Sequence, residues 1–167
     1  MATKLFDSAK ELHEPKEAEI SGQIPSWLNG VLVRTGPAKF EFEDSCYNHW
    51  FDGQALLHRF AINNGKVSYF NKFVQSESYK RSLKHGRPCM DEFGTAALPD
   101  PCKSIFTRYF SYFWGDDRTT DNPMVNILQI KGKTYAASEI PVITEFDPIT
   151  LEVLGNASYT TDFPGLF

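Results

Sequence analysis

The alternation of apolar and polar positions is clearest between Ala55 and Val74. Two stretches, Ala55 to Ile62 and Lys66 to Val74, flank Asn64-Gly65, a pair suited to a type I′ hairpin turn because both residues tolerate positive φ. In the second stretch Val67, Tyr69 and Phe73 fall on one face, the two-residue period of a half-buried antiparallel strand. Met124 to Ile130 and Thr134 to Ser138 predict a second hairpin around Lys131-Gly132-Lys133. Val142 to Phe146 and Leu151 to Leu154 predict a third around Asp147-Pro148-Ile149-Thr150. Before all of these, Pro25 to Gly30 reads as a tight turn, and Val31 to Arg34 as a strand stopped by Gly36-Pro37. Ser76 to Gly86 is polar, basic and ambiguous. Short strands joined by tight turns predict an all-β fold of up-and-down antiparallel sheets, such as propeller blades. No internal repeat marks the blades independently.

One segment departs from this pattern. Asp100 suits an N-cap, Pro101 the first helical position and Gly115 the position just past the end. Between them Ile105, Phe106, Tyr109, Phe110 and Phe113 follow helical spacing, with Lys103, Ser104, Thr107, Arg108 and Ser111 around the other sides. The expectation is therefore an all-β chain with a short amphipathic helix from Asp100 to Trp114. Such a stripe is more often core than membrane contact. Here the aromatic residues, Tyr112 and Trp114 included, spread beyond one narrow face. Lys103 and Arg108 suit lipid headgroups, which favours a patch lying on a membrane surface.

Composition narrows the function classes. A chain of 167 residues is long enough for one domain with a real core. Residues 1–19 read as a polar tail, extended or mobile, and residues 20–167 as the domain. Aromatics make up 14%, with 14 Phe, which suits a β-rich chain or an apolar site. A formal charge of −4 without a basic run argues against nucleic-acid binding. Cys46, Cys89 and Cys102 form neither an even disulfide framework nor a CxxC pair. Met1 to Glu19 lacks an apolar leader core, and no run of about twenty apolar residues is present. These features predict a reduced, cytoplasmic protein.

The sharpest motif is Tyr47-Asn48-His49-Trp50-Phe51-Asp52-Gly53-Gln54-Ala55-Leu56-Leu57-His58-Arg59-Phe60. Glu92-Phe93-Gly94-Thr95, Pro99 to Phe106, Phe110-Ser111-Tyr112-Phe113, Thr120-Asp121-Asn122, Val125-Asn126 and the stretch from Ser138-Glu139 to Asp147-Pro148 follow in order. From about Gly30 to Val153 the chain resembles the carotenoid cleavage oxygenase family, non-haem iron enzymes that cleave or isomerise carotenoids and retinoids. The resemblance implies the N-terminal blades of a seven-bladed β-propeller, incomplete in this chain. It implies iron(II) on the propeller axis, held by four histidines with carboxylates behind three of them, a carotenoid or retinoid substrate, and dioxygen. Imidazole suits iron, and a carboxylate behind it fixes the ring's tautomer and orientation.

Motif by motif, Glu139 resembles the first carboxylate that orients an iron-ligating histidine. Ser138 borders the iron's open side in relatives, and Phe93 resembles an aromatic that lines the substrate cleft. Cys102, Ile105, Phe106, Tyr109, Phe110, Phe113 and Trp114 resemble the family's membrane patch, in which Cys102 matches a cysteine that relatives can acylate. None of His13, His49, His58 and His85 falls in a ligand motif. His49 reads as a hydrogen-bonded structural histidine, and Asp52-Gly53 and Asp121-Asn122 as structural turns. The first ligating histidine is expected just after Phe167, so no iron is expected to be held by this chain alone. Two departures stand out: Glu139-Ile140-Pro141 replaces a Glu-Thr-Asn, and Pro88-Cys89-Met90-Asp91 replaces a β-branched run, which predicts a weakened strand.

Two readings follow. In one, the chain is part of an oxygenase that adds dioxygen across a polyene double bond to give two carbonyl products. Trp50 resembles the carotenoid-cleaving animal branch more than the retinoid isomerohydrolase branch, which stands as the alternative chemistry. In the other, the chain is a catalytically silent fragment that at most binds lipid or membrane.

Overall fold

The structure is a computed structural model that describes residues 6–43, 45–97 and 119–162. It contains two four-stranded antiparallel sheets. Strands β1 (Lys16–Glu17), β2 (Gly30–Lys39), β3 (Gln54–Asn63) and β4 (Lys66–Phe73) form the first, in the order β1-β4-β3-β2. Strands β5 (Asn126–Ile130), β6 (Lys133–Ala137), β7 (Val142–Phe146) and β8 (Val153–Ser158) form the second, in sequence order. Helix α1 (Glu77–His85) follows the first sheet, and a short helical turn, α2 (Tyr159–Asp162), follows the second.

The expected turns close the hairpins. Asn64 and Gly65 have φ of 49° and 75°, and Lys131 and Gly132 have 49° and 79°. Both loops therefore match the right-handed twist of the strands they join. Lys133 belongs to β6 rather than to its turn. The turn before β2 is closed by Leu28 N–H donating to Pro25 O at 3.0 Å.

Four sequence expectations are corrected. First, β2 does not stop at Gly36-Pro37 but runs to Lys39, with a bulge after Pro37. It is an edge strand, where the missing proline N–H breaks no ladder. Second, the last strand begins at Val153, not Leu151. Leu151 adopts φ of 58°, a left-handed conformation no strand can contain, and closes the turn by donating its N–H to Asp147 O at 2.8 Å. Complete burial of its side chain offsets that strain. Third, the ambiguous segment is helix α1. Ser76 caps its start by accepting from Tyr79 N–H, and Gly86 ends it at φ of 62°. Fourth, the segment around Pro88-Cys89-Met90-Asp91 is loop rather than a weakened strand, and Pro88 and Met90 are buried.

From Phe6 onward the N-terminal segment is tied to the first sheet. Asn71 accepts from Leu12 N–H and donates to Lys10 O. Ser8 Oγ accepts from the N–H groups of Phe40 and Glu41, and β1 adds to the outer edge of the first sheet.

The core lies between the sheets. Ala55, Leu57 and Val74 from the first meet Ala136 and Phe146 of the second, with Met124 and Leu151 filling the ends. The opposite face of the first sheet is half covered by α1, where Leu56, Ala38 and Phe73 pack under Tyr79. Phe73 and Tyr79 stack with ring centroids 5.0 Å apart. Residues Gln54 to Leu57 are thus buried on both faces, which explains why four consecutive positions there exclude water.

Candidate functional site

The end of the first sheet where β2 stops and β3 starts carries a single-turn 3-10 helix, Trp50–Asp52. His49 caps it: its Nδ1 accepts from Phe51 N–H at 3.1 Å, and its own N–H donates to Asp52 Oδ2 at 3.0 Å. A tight loop, residues 92–95, closed by Glu92 N–H donating to Thr95 O, lies against this turn. Gly94 makes the approach possible, because a β-carbon there would sit 2.6 Å from His49 Cβ.

Two carboxyls, one buried and one half-buried, hold that loop. Asp52 is fully buried and accepts from His49 N–H, Gly94 N–H and Thr95 Oγ1, the last two at 2.7 and 2.6 Å. Glu92 Oε1 accepts from Ser78 Oγ at 2.7 Å, Thr120 Oγ1 at 2.8 Å and Gln54 Nε2 at 3.2 Å. These donors come from α1, the approach to β5, and β3. Burial raises Glu92 to about 7 against the hydrogen bonds that favour its charged form, and the nearby Asp52 adds to the rise. Tyr47, whose hydroxyl lies 2.6 Å from Gln54 Nε2, is pushed up to about 12 by burial and by Glu92.

From this anchored loop Phe93 projects outward, 76% exposed. It does not stand alone. Its ring lies 4.9 Å from the His49 imidazole and 5.8 Å from Phe51, which is itself 52% exposed. The result is an open aromatic cluster on a rigid base. The motif singled out Phe93 as a cleft aromatic, and the structure shows its ring exposed in this cluster. Phe51 was quoted in the neighbouring motif without a role, and only the close packing of the two segments joins them. Glu92 was likewise passed over; its signal was a carboxylate beside a motif aromatic.

The other site residues lie elsewhere. Ser138 is half-buried at the end of β6, and Glu139 is exposed in the following bend, with no hydrogen bond among the described residues. Cys102, Ile105, Phe106, Tyr109, Phe110, Phe113 and Trp114 lie outside the described residues. His49 is the hydrogen-bonded structural residue its context implied. His58 sits mid-strand with Nδ1 2.7 Å from Tyr69 Oη. Asp52-Gly53 and Asp121-Asn122 are structural, with Asp52, Gly53 and Asn122 buried and Asp121 half-buried. Asp121 caps α1 by accepting from the N–H groups of Glu77 and Ser78. Asn122 accepts from Ala55 N–H and donates to Gly53 O.

Among the described residues no group of three or more His, Cys, Asp or Glu side chains is arranged to hold a metal ion. His49 Nδ1 and His58 Nδ1 each take part in a local hydrogen bond, and neither histidine belongs to such a group. No described helix is long and apolar enough to cross a membrane.

Residues 5–165 match the family model described as Retinal pigment epithelial membrane protein. The chain is 46% identical over 158 residues to the beta,beta-carotene 15,15'-dioxygenase of Gallus gallus, covering 93% of this chain and 30% of that protein. It is 45% identical over 148 residues to the mitochondrial carotenoid-cleaving dioxygenase of Mustela putorius furo, covering 89% of this chain and 27% of that one. The chain thus spans about three-tenths of the length of the curated relatives it matches. Among solved structures, a mutant of Synechocystis apocarotenoid oxygenase superposes with a TM-score of 0.73 at 23% identity, over 95% of this chain and 32% of that one. Its cobalt-substituted form gives 0.72 at 24% identity, over the same shares. These likenesses establish the fold: the two sheets are blades of the carotenoid-oxygenase propeller.

Proposed function

Because the chain belongs to the Retinal pigment epithelial membrane protein family of carotenoid oxygenases, we propose that it forms part of an iron(II)-dependent enzyme that cleaves a polyene double bond with dioxygen. The observation that carries this reading is the exposed Phe51–Phe93–His49 cluster, which would line the substrate path. Aromatic faces suit a polyene, which has a flat, polarisable body and no hydrogen-bonding groups along it. Iron supplies oxygen activation when bound, through residues other than those described. The chain's own part is to present apolar surface and exclude water. Exposure of Glu139 at the end of β6 is compatible with a carboxylate that orients a ligating histidine, and Ser138 would border the open side of the metal.

The proposal extends to peripheral contact with a membrane surface on the cytoplasmic side. Support comes from the sequence between Asp100 and Trp114, where aromatic residues accompany Lys103 and Arg108. An apolar substrate dissolved in lipid would then reach the cluster without crossing water.

Absorbance titration of the chain with β-apo-8′-carotenal tests the cluster. Saturable binding is expected, weakened about tenfold by Phe93→Ala and by Phe51→Ala, the scale of one lost aromatic contact. Binding untouched by both substitutions would remove the cluster from the substrate path.

A further inference from the structure

The loop 92–95 reverses direction between two adjacent residues. Glu92 turns into the protein, and Phe93 turns out. One peptide unit separates the held Glu92 from the exposed Phe93. We propose that Glu92 is a positioning residue, whose protonation state sets the angle at which Phe93 is presented beside Phe51. This rests on the reading of Phe93 as a polyene contact only for its consequence in binding; the linkage itself is internal to the chain.

The geometry supports such a coupling at each step. The carboxyl gathers donors from three separate segments at one oxygen, so it is the common point of Gln54, Ser78 and Thr120. All three donors reach Oε1: a proton on that oxygen displaces at least one of them, and a proton on Oε2 adds a donor that needs an acceptor of its own. Gln54 Oε1 is a buried acceptor without a donor among the described residues, so the cluster has capacity for an added O–H. The far end of the loop is fixed independently, by Asp52 on Gly94 and Thr95. A shift at Glu92 is then taken up between the two anchors, where Phe93 sits. The titratable groups facing the carboxyl and its loop are Tyr47 from the segment before the 3-10 turn, His49 and Asp52 from that turn, and Asp121, which contacts the start of α1. The neighbouring Asp52 carboxyl acts on Glu92 with like charge and favours its neutral form. Burial places the titration of Glu92 at about 7, within reach of ordinary conditions.

The test follows ring resonances of ¹³C-labelled phenylalanine in the whole chain from pH 5 to pH 8.5, with Phe93 and Phe51 assigned from Phe93→Leu and Phe51→Leu spectra. Both resonances are expected to titrate with a common midpoint near 7, as burial predicts for Glu92. Glu92→Gln, which keeps the size and stays neutral, is expected to hold them at their low-pH positions throughout. Ser78→Ala removes a donor that favours the charged form and is expected to raise the midpoint by about 0.5 pH unit or more. A titration that persists in Glu92→Gln has another origin and overturns the proposal, as does an unmoved midpoint in Ser78→Ala. A parallel titration with β-apo-8′-carotenal separates the two readings. Absence of binding with the ring titration intact defeats the polyene reading and leaves the role of Glu92 standing.

Discussion

Thr95 donates its hydroxyl to Asp52 Oδ2 at 2.6 Å across 43 residues of sequence, inside a site from which water is excluded. The same Thr95 oxygen accepts from Asn48 N–H at 2.8 Å. One side-chain pair thus stitches the early motif to the Glu92-Phe93-Gly94-Thr95 motif. Asp52→Ala would leave three donors facing a buried void. Loss of about 3 kcal/mol or more is expected, from the cost of orphaned buried donors. Urea unfolding of the chain measures it, and a loss below about 1 kcal/mol would show that the donors find other partners.

Gly94→Ala tests close approach rather than hydrogen bonding. The added carbon would meet His49 Cβ at 2.6 Å, well inside contact distance. The two segments must part, at an expected cost of about 1–3 kcal/mol for overpacking. The aromatic cluster should loosen with them, read as a loss of apocarotenal affinity beyond the loss of stability. Unchanged melting and unchanged binding together would contradict the geometry.

Stability should also depend on pH through Glu92. Its folded-state value of about 7 lies above the ordinary 4.5. Below pH 4.5 both folded and unfolded forms are protonated, and the contribution is complete. As pH rises, the unfolded chain ionises first, so stability falls until the folded carboxyl also ionises near pH 7. At about 1.4 kcal/mol per pH unit the total is about 3 kcal/mol. Glu92→Gln should abolish this fall in chemical denaturation measured across the range.

His58 acts with the opposite sign. Burial, aided by the Arg34 charge, lowers it to about 4 from 6.5. The folded chain therefore resists protonation, and stability rises with pH between those values. Half exposure screens the effect to about 1–2 kcal/mol. The two linkages overlap and partly cancel near pH 5 to 6. His58→Gln should steepen the fall due to Glu92, while Glu92→Gln should reveal the rise due to His58. A wild-type profile copied by both variants would rule out both assignments.

Local chemistry was legible in the sequence wherever it alone decides structure. Asn64-Gly65 and Lys131-Gly132 place two hairpins because their backbone preferences do not depend on distant contacts. Pro37 misled because its tolerance depends on being at a sheet edge, and Leu151 because its left-handed backbone is held by burial. Helix α1 carried its signals, Ser76 and Gly86, but its polar composition hid the single face that packs on Phe73. For the site, the motif identified Phe93 as a cleft residue, an assignment still to be tested. Asp52 looked like a turn residue because burial of a carboxyl comes from segments 40 and more residues away. Phe51 and Glu92 escaped for the same reason.

Asn122 closes the start of β3 through Ala55 N–H, 67 positions earlier, and Gly53 O, 69 positions earlier. During synthesis the β3–β4 hairpin can form as soon as it emerges, yet its first residues keep an unmet donor and acceptor until Asn122 arrives. At about 5–20 residues per second the stretch from Phe73 to Asn122 takes roughly 2–10 s. The first sheet is therefore born incomplete, and the segment that seals it is the connection leading into the second.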